Sequence, residues 1–175
     1  DTSPKSSTTQ VKVTPFAPHG QVDMWMDGNL LHYESTGPFN KELADCLAVA
    51  QSNFLQALQP SGPWVSICTV RKSALATPDG LQRYAELIRQ APPQFTPVAT
   101  AYVIGPEVEG GQFMAPHFAK IFADAGRPFQ TFATMAEAQS WARCRVSVGC
   151  TWPGCGSWAA GGSVPSVAEA SCSRQ

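Results

Sequence analysis

The chain has 175 residues, a hydrophobic fraction of 43%, a charged fraction of 14% and a net charge of −1. That length carries one domain with a proper core and is short for two. A net charge so close to zero argues against a nucleic-acid binder, which holds phosphates with a basic face or stripe.

No apolar run approaches the roughly 18 residues of a membrane span. Asp1-Thr2-Ser3-Pro4-Lys5-Ser6-Ser7 lacks the basic-then-apolar order of a secretory signal. A cytoplasmic setting with reduced thiols is therefore expected. Residues 1–20, rich in Ser, Thr, Pro and Lys, read as a disordered leader, with Val11-Lys12-Val13 the one stretch able to pair as a short edge strand.

Regular structure is expected from Gln21. Val22 to Met26 and Asn29 to Ser35 flank Asp27-Gly28, a dipeptide suited to the two-residue type I′ turn of a hairpin. From Lys41 the apolar positions Leu43, Leu47, Ala50, Phe54 and Leu58 recur every three or four residues, which predicts a helix capped by Asn40. Trp64 to Val70 is nearly devoid of polarity, as a strand covered on both faces should be. Thr77-Pro78-Asp79 opens a second helix with a capping hydroxyl, Pro at the first helical position and an early acid. Leu81, Tyr84, Ala85 and Ile88 make its inward stripe. Val98 to Ile104 follows as a strand and Gly105 to Gly111 as a loop. A short helix is expected from Pro116 to Ala125, then a strand from Pro128 to Phe132. Thr134-Met135-Ala136-Glu137 has the form of a capping box before a last helix through Trp141 and Ala142.

A hairpin followed by alternating helices and strands implies an α/β domain with a mixed, mostly parallel five-stranded sheet and four helices, from residue 21 to 142. Residues 143–175 lose both periods and turn to Gly, Ser, Cys, Trp and Pro, an irregular tail that reads as a gene end translated out of frame. Of six cysteines, Cys46 and Cys68 sit within predicted elements. Cys144, Cys150, Cys155 and Cys172 lack the paired spacing of a zinc site, so neither a metal nor another cofactor is expected.

The Asp27-Gly28 hairpin, Gly37 to Asn40, the Trp64-to-Val70 strand, Thr77-Pro78-Asp79-Gly80-Leu81, Phe129 to Phe132 and Glu137-Ala138…Trp141 together resemble the SpoIIAA-like branch of the STAS (STAS/SEC14-like) family. The resemblance implies a small bacterial regulatory or protein-interaction module without enzymatic activity, in the manner of anti-sigma-factor antagonists. Those are switched by phosphorylation of a Ser at the start of the helix after the central strand. Here no acid precedes a hydroxyl in that loop, and Ser73 and Thr77 are the hydroxyls it holds. The same resemblance allows a second reading, a binder or carrier of a small apolar ligand or lipid.

From the residues themselves, Arg71, Lys72, Ser73 and Thr77 precede a helix N-terminus, where free N–H groups favour an anion or an acidic protein partner. The plainer alternative is a solvated loop in which Thr77 caps its helix. Phe113, Met114 and Phe118 could frame an apolar ligand site beneath the Gly105–Gly111 loop, although helical core spacing accounts for Phe118 equally well. His32, Glu34 and His117 are the acid–base candidates. No nucleophile is identifiable beside them, so structural roles are favoured and an enzyme is not expected.

Overall fold

Val65–Arg71 (β4) is buried from Val65 to Val70 and runs through the middle of the sheet, parallel to Leu30–Thr36 (β3) on one side and Ala99–Val103 (β5) on the other. A strand with both neighbours in place and both faces covered has no position for a charged side chain, and the one it carries, Arg71, lies at its exposed end. The computed structural model describes residues 3–147. Over them the chain is an α/β protein whose sheet adds Lys5–Ser7 (β1), Gln21–Asp27 (β2) and Phe129–Phe132 (β6). The spatial order of the strands is their order in the chain. The pairs β1–β2 and β2–β3 are antiparallel, and β5–β6 is parallel.

That order decides where the helices go. Each parallel crossover steps one strand further in the same direction, so right-handed connections put Lys41–Leu58 (α1), Pro78–Gln90 (α2) and Gly111–Asp124 (α3) on one face. Met135–Val146 (α4) follows the last strand and covers the opposite face over β4, β5 and β6. The two-residue period of β3 and β4 divides their side chains between two cores. Leu31, Tyr33, Cys68 and Val70 face the three-helix layer, while Leu30, Val65 and Ile67 face α4. Ala138 and Ala142 of α4 are fully buried, and their small size lets that helix lie close to the sheet.

The helix starts follow the sequence signals. Asn40 Oδ1 accepts from the Leu43 N–H at 3.1 Å, Thr77 Oγ1 from the Gly80 N–H at 3.2 Å, and Thr134 with Glu137 forms a reciprocal capping box. Among the described residues no helix is long and apolar enough to cross a membrane.

Other expectations need correction. The sheet has six strands, not five, because the supposed disordered leader contributes β1 at its edge. What orders this segment is polar and long-range. Thr8 is buried, and its Oγ1 accepts the Val22 N–H at 3.0 Å. The Asn40 side chain accepts from the His19 N–H and donates to the Ala17 carbonyl. Val11-Lys12-Val13 is not a strand. The hairpin loop is Gly28-Asn29, since Asp27 pairs with Leu30, and the positive φ of 59° falls on Gly28. Glycine at the first central position is the requirement of a type II′ turn rather than I′. Helix α3 begins five residues before Pro116, whose ring lies in its second turn, so Phe113 and Met114 belong to the helix instead of preceding it. Helix α4 carries regular structure past Ala142 to Val146. The rest of the expected irregular tail, from residue 148 on, lies outside the described residues, and with it Cys150, Cys155 and Cys172.

Candidate functional site

Leu81, Tyr84 and Ile88 line the inner side of α2 as their spacing requires, yet Gly80 is the one fully buried residue of that helix. The reason is where α2 sits. Its closest backbone neighbours are α1 and α3, and its stripe packs only partly on the core beneath it. Below it lies a partly open cavity of about 130 Å³. Leu81, Tyr84, Leu87 and Ile88 roof it; Leu43 and Leu47 of α1 and Phe118 and Phe122 of α3 wall it. Its floor comes from alternate residues of three strands: Tyr33 and Ser35, Ser66 and Cys68, Thr100 and Tyr102. A cavity of ~150 Å³ with apolar walls stays dry and holds a benzene-sized guest, so this space is of ligand size.

Unlike such an apolar void, this one has a polar floor. The Tyr84 and Tyr102 hydroxyls share a hydrogen bond of 2.6 Å, which props the helix against β5. Ser66 and Thr100 pair at 2.8 Å, and Ser35 pairs with the Cys68 sulfur at 3.3 Å. No hydrogen bond joins the Tyr33 hydroxyl to another described residue. Burial raises the pKa of Tyr33, Tyr84 and Tyr102 far above the ordinary phenol value and pushes the Cys68 thiol up to about 11. All four are neutral at neutral pH. Cys68 is accordingly a poor nucleophile, and the floor offers hydroxyl donors without a base.

One charged residue lines the cavity, Arg127, and no Asp or Glu does. Local chain chemistry places it. Gly126, at φ 66°, follows the last turn of α3; its N–H donates to the Ala123 carbonyl and the Arg127 N–H donates to the Phe122 carbonyl at 2.9 Å. This is a Schellman ending, which folds the second residue past the helix back over the residue that began the final turn. The Arg127 guanidinium accordingly lies 5.4 Å from the centre of the Phe122 ring. Its Nη1 donates to the Ile88 carbonyl at the end of α2 across a long 3.4 Å, and its Nε is buried without a partner. Burial lowers the Arg127 pKa. The residue stands just before β6, at the edge where the parallel strands begin.

The residues singled out from sequence lie outside this cavity, Phe118 excepted. Arg71 is exposed and bonds Glu34 at 3.4 Å. Lys72 is exposed at φ 61°. Ser73 is buried, and its hydroxyl accepts the Leu75 N–H. Thr77 caps α2, and its hydroxyl is the chief cause that holds the neighbouring Asp79 carboxyl below the usual range. An incoming phosphate would meet that carboxylate at the very helix start expected to attract it. The backbone of the loop is tied to its neighbours by the Phe39–Leu75, Thr77–Phe39, Ala74–Glu109 and Glu109–Lys72 bonds. Of the proposed apolar trio, Phe118 reaches the cavity, Met114 is in the surrounding core, and Phe113 points outward at 69% exposure. His32 and Glu34 lie on the α4 face of β3, His32 stacked on Trp25, whereas His117 belongs to α3 on the other side and meets Phe113. They are not brought together. Among the described residues no three His, Cys, Asp or Glu side chains are grouped to hold a metal.

Comparison with protein-family models, with curated proteins and with solved structures gives no match to this chain.

Proposed function

We propose that the protein binds or carries a small, largely apolar molecule in the cavity under α2. The observation that carries this reading is a helix whose apolar stripe is only half-buried, with an unfilled space beneath it bounded by α1, α3 and the sheet. Protein interiors are ordinarily filled to crystal-like density, and an unfilled space forfeits dispersion contacts on every side. A guest that restores those contacts gains what the empty fold lacks. The small-ligand reading that the STAS/SEC14-like resemblance allows is the one this geometry favours. The interaction-module reading of the same resemblance depends on the Arg71-to-Thr77 edge, where the loop is closed by its own hydrogen bonds and Ser73 is buried.

The test uses the full chain and three probes of cavity size: toluene, indole and 1-hexanol. Saturable stabilisation of the wild type in thermal unfolding is expected, together with its weakening in Ala44→Leu, which adds volume from the α1 wall. If none of the three gives saturable stabilisation, the reading is wrong.

A further inference from the structure

We infer that the molecule held under α2 is an acid: a compact monocarboxylate whose apolar body fills the cavity and whose carboxylate pairs with Arg127. This rests on the cavity reading and adds to it the chemical class of the guest. Three observations converge. Arg127 is the cavity's single charged residue, and none of the described salt bridges includes it. Its Nε is buried with no acceptor, on a side chain that is half-buried, and a buried donor on a charged group is normally paired. The Tyr33 hydroxyl, on the cavity floor, is joined to no other described residue.

The cavity's own groups cannot supply the missing anion. Tyr33, Tyr84 and Tyr102 stay protonated in this setting, and so does Cys68. What Arg127 has inside the protein is the face of the Phe122 ring and one long bond to a carbonyl at the end of α2. The helix dipole there offers partial negative charge, about half a unit spread over several carbonyls. A carboxylate would bring a full charge, with one oxygen for the orphaned Nε and lone pairs for the Tyr33 hydroxyl. Charge-assisted bonds of this sort are roughly twice as strong as neutral ones.

The rest of the guest follows from the walls. Leu43, Leu47, Leu81, Ile88 and Phe118 accept hydrocarbon and offer it no hydrogen bond. With about 130 Å³ available, the guest is of benzene scale, on the order of six to ten heavy atoms, an aromatic or short aliphatic acid rather than a long-chain lipid. The charged end lies at the edge where the strands begin. That is opposite the Arg71–Thr77 loop, which follows β4.

The experiment compares guests of one shape and different charge. Benzoate and benzamide, and hexanoate and hexanamide, are titrated calorimetrically into the full chain at neutral pH, with toluene as an uncharged reference. In the wild type each acid is expected to bind at least about tenfold more tightly than its amide, the scale of one charge-assisted hydrogen bond. Arg127→Met should abolish that preference, and Arg127→Lys should retain part of it. Toluene binding, which needs no cation, should persist in both variants and so reports that the cavity is intact. Equal binding of acids and amides by the wild type, or an acid preference that survives Arg127→Met, overturns the inference and leaves the cavity reading standing. Failure of the wild type to bind any of the five overturns both. If Arg127→Met loses toluene binding as well, the wild-type comparison of acid with amide decides alone.

Discussion

The 2.6 Å bond between the Tyr84 and Tyr102 hydroxyls can be tested without disturbing either ring. Tyr→Phe keeps the contacts of Tyr102 with Phe118, Phe122 and Phe129, and of Tyr84 with Phe122, because it removes one oxygen and nothing else. Each single variant leaves the other hydroxyl without that partner inside the cavity, which costs about 1–3 kcal/mol, while removing both partners costs about 1 kcal/mol or less. The two losses should therefore be strongly non-additive, with the double variant as stable as the better single or more so. Each single change should cost about 2 kcal/mol, roughly a 30-fold fall in the folded-to-unfolded ratio. Urea unfolding of the four proteins at one pH, with equal m-values, measures the cycle. Additive losses, or singles that cost nothing, would refute the picture of two buried hydroxyls that depend on each other.

His32 is 4% exposed, stacks on Trp25 at 5.3 Å and has a buried Nδ1 with no partner. Burial lowers its pKa below the ordinary 6.5, with Asp27 opposing the shift. The unfolded chain therefore takes up this proton at a higher pH than the folded one. Stability from this site is complete above pH 6.5 and falls as pH drops below it. His32→Phe keeps a ring on Trp25 and should flatten the dependence of the urea midpoint between about pH 5 and 7.5; an unchanged slope would assign that dependence elsewhere. Gly80 is a question of space. A Cβ there would lie 2.9 Å from Thr77 Oγ1 and 3.0 Å from the Asn40 carbonyl carbon, at the crossing of the α1 and α2 starts. Gly80→Val should destabilise by about 1–3 kcal/mol as an overpacked core does, and a variant as stable as wild type would mean that the two helix starts separate freely.

The sequence was most legible where one local rule acts alone. Asn40, Thr77 and Thr134 each cap a helix because a short polar side chain before a periodic run has few other uses. The buried middle strand was equally plain, since polarity is excluded from it on both faces. Illegible were the features set by partners far away in the chain. The first twenty residues are tied down by a Thr8–Val22 bond just after β1 and by a pair of Asn40 contacts to Ala17 and His19, which leave no period behind. The start of α3 is hidden because Pro116 suggests a first turn, whereas the helix carries that Pro in its second. Arg127 carried one readable clue. Ala125-Gly126-Arg127 after an apolar run has the form of a Schellman ending, and that motif puts Arg127 over Phe122.

The cavity itself was invisible for a deeper reason. An apolar stripe at helical spacing looks the same whether it lies on a sheet or above a gap; height over the sheet is decided by attachments at the helix's sides and ends. For α2 these are identifiable. Arg83 bonds Asp45 of α1 at 2.6 Å, half-buried, and that bond is the chief cause of its raised pKa. Gly80 lets the start of α2 press against the backbone at Asn40 and Lys41. Tyr84 stands on Tyr102 as a post. Near the far end, Arg127 reaches the Ile88 carbonyl. With its position set from α1, from the post and from its end, α2 needs little direct packing on β4 or β5. The space it spans is then a consequence of how it is mounted, and filling it need not move the helix.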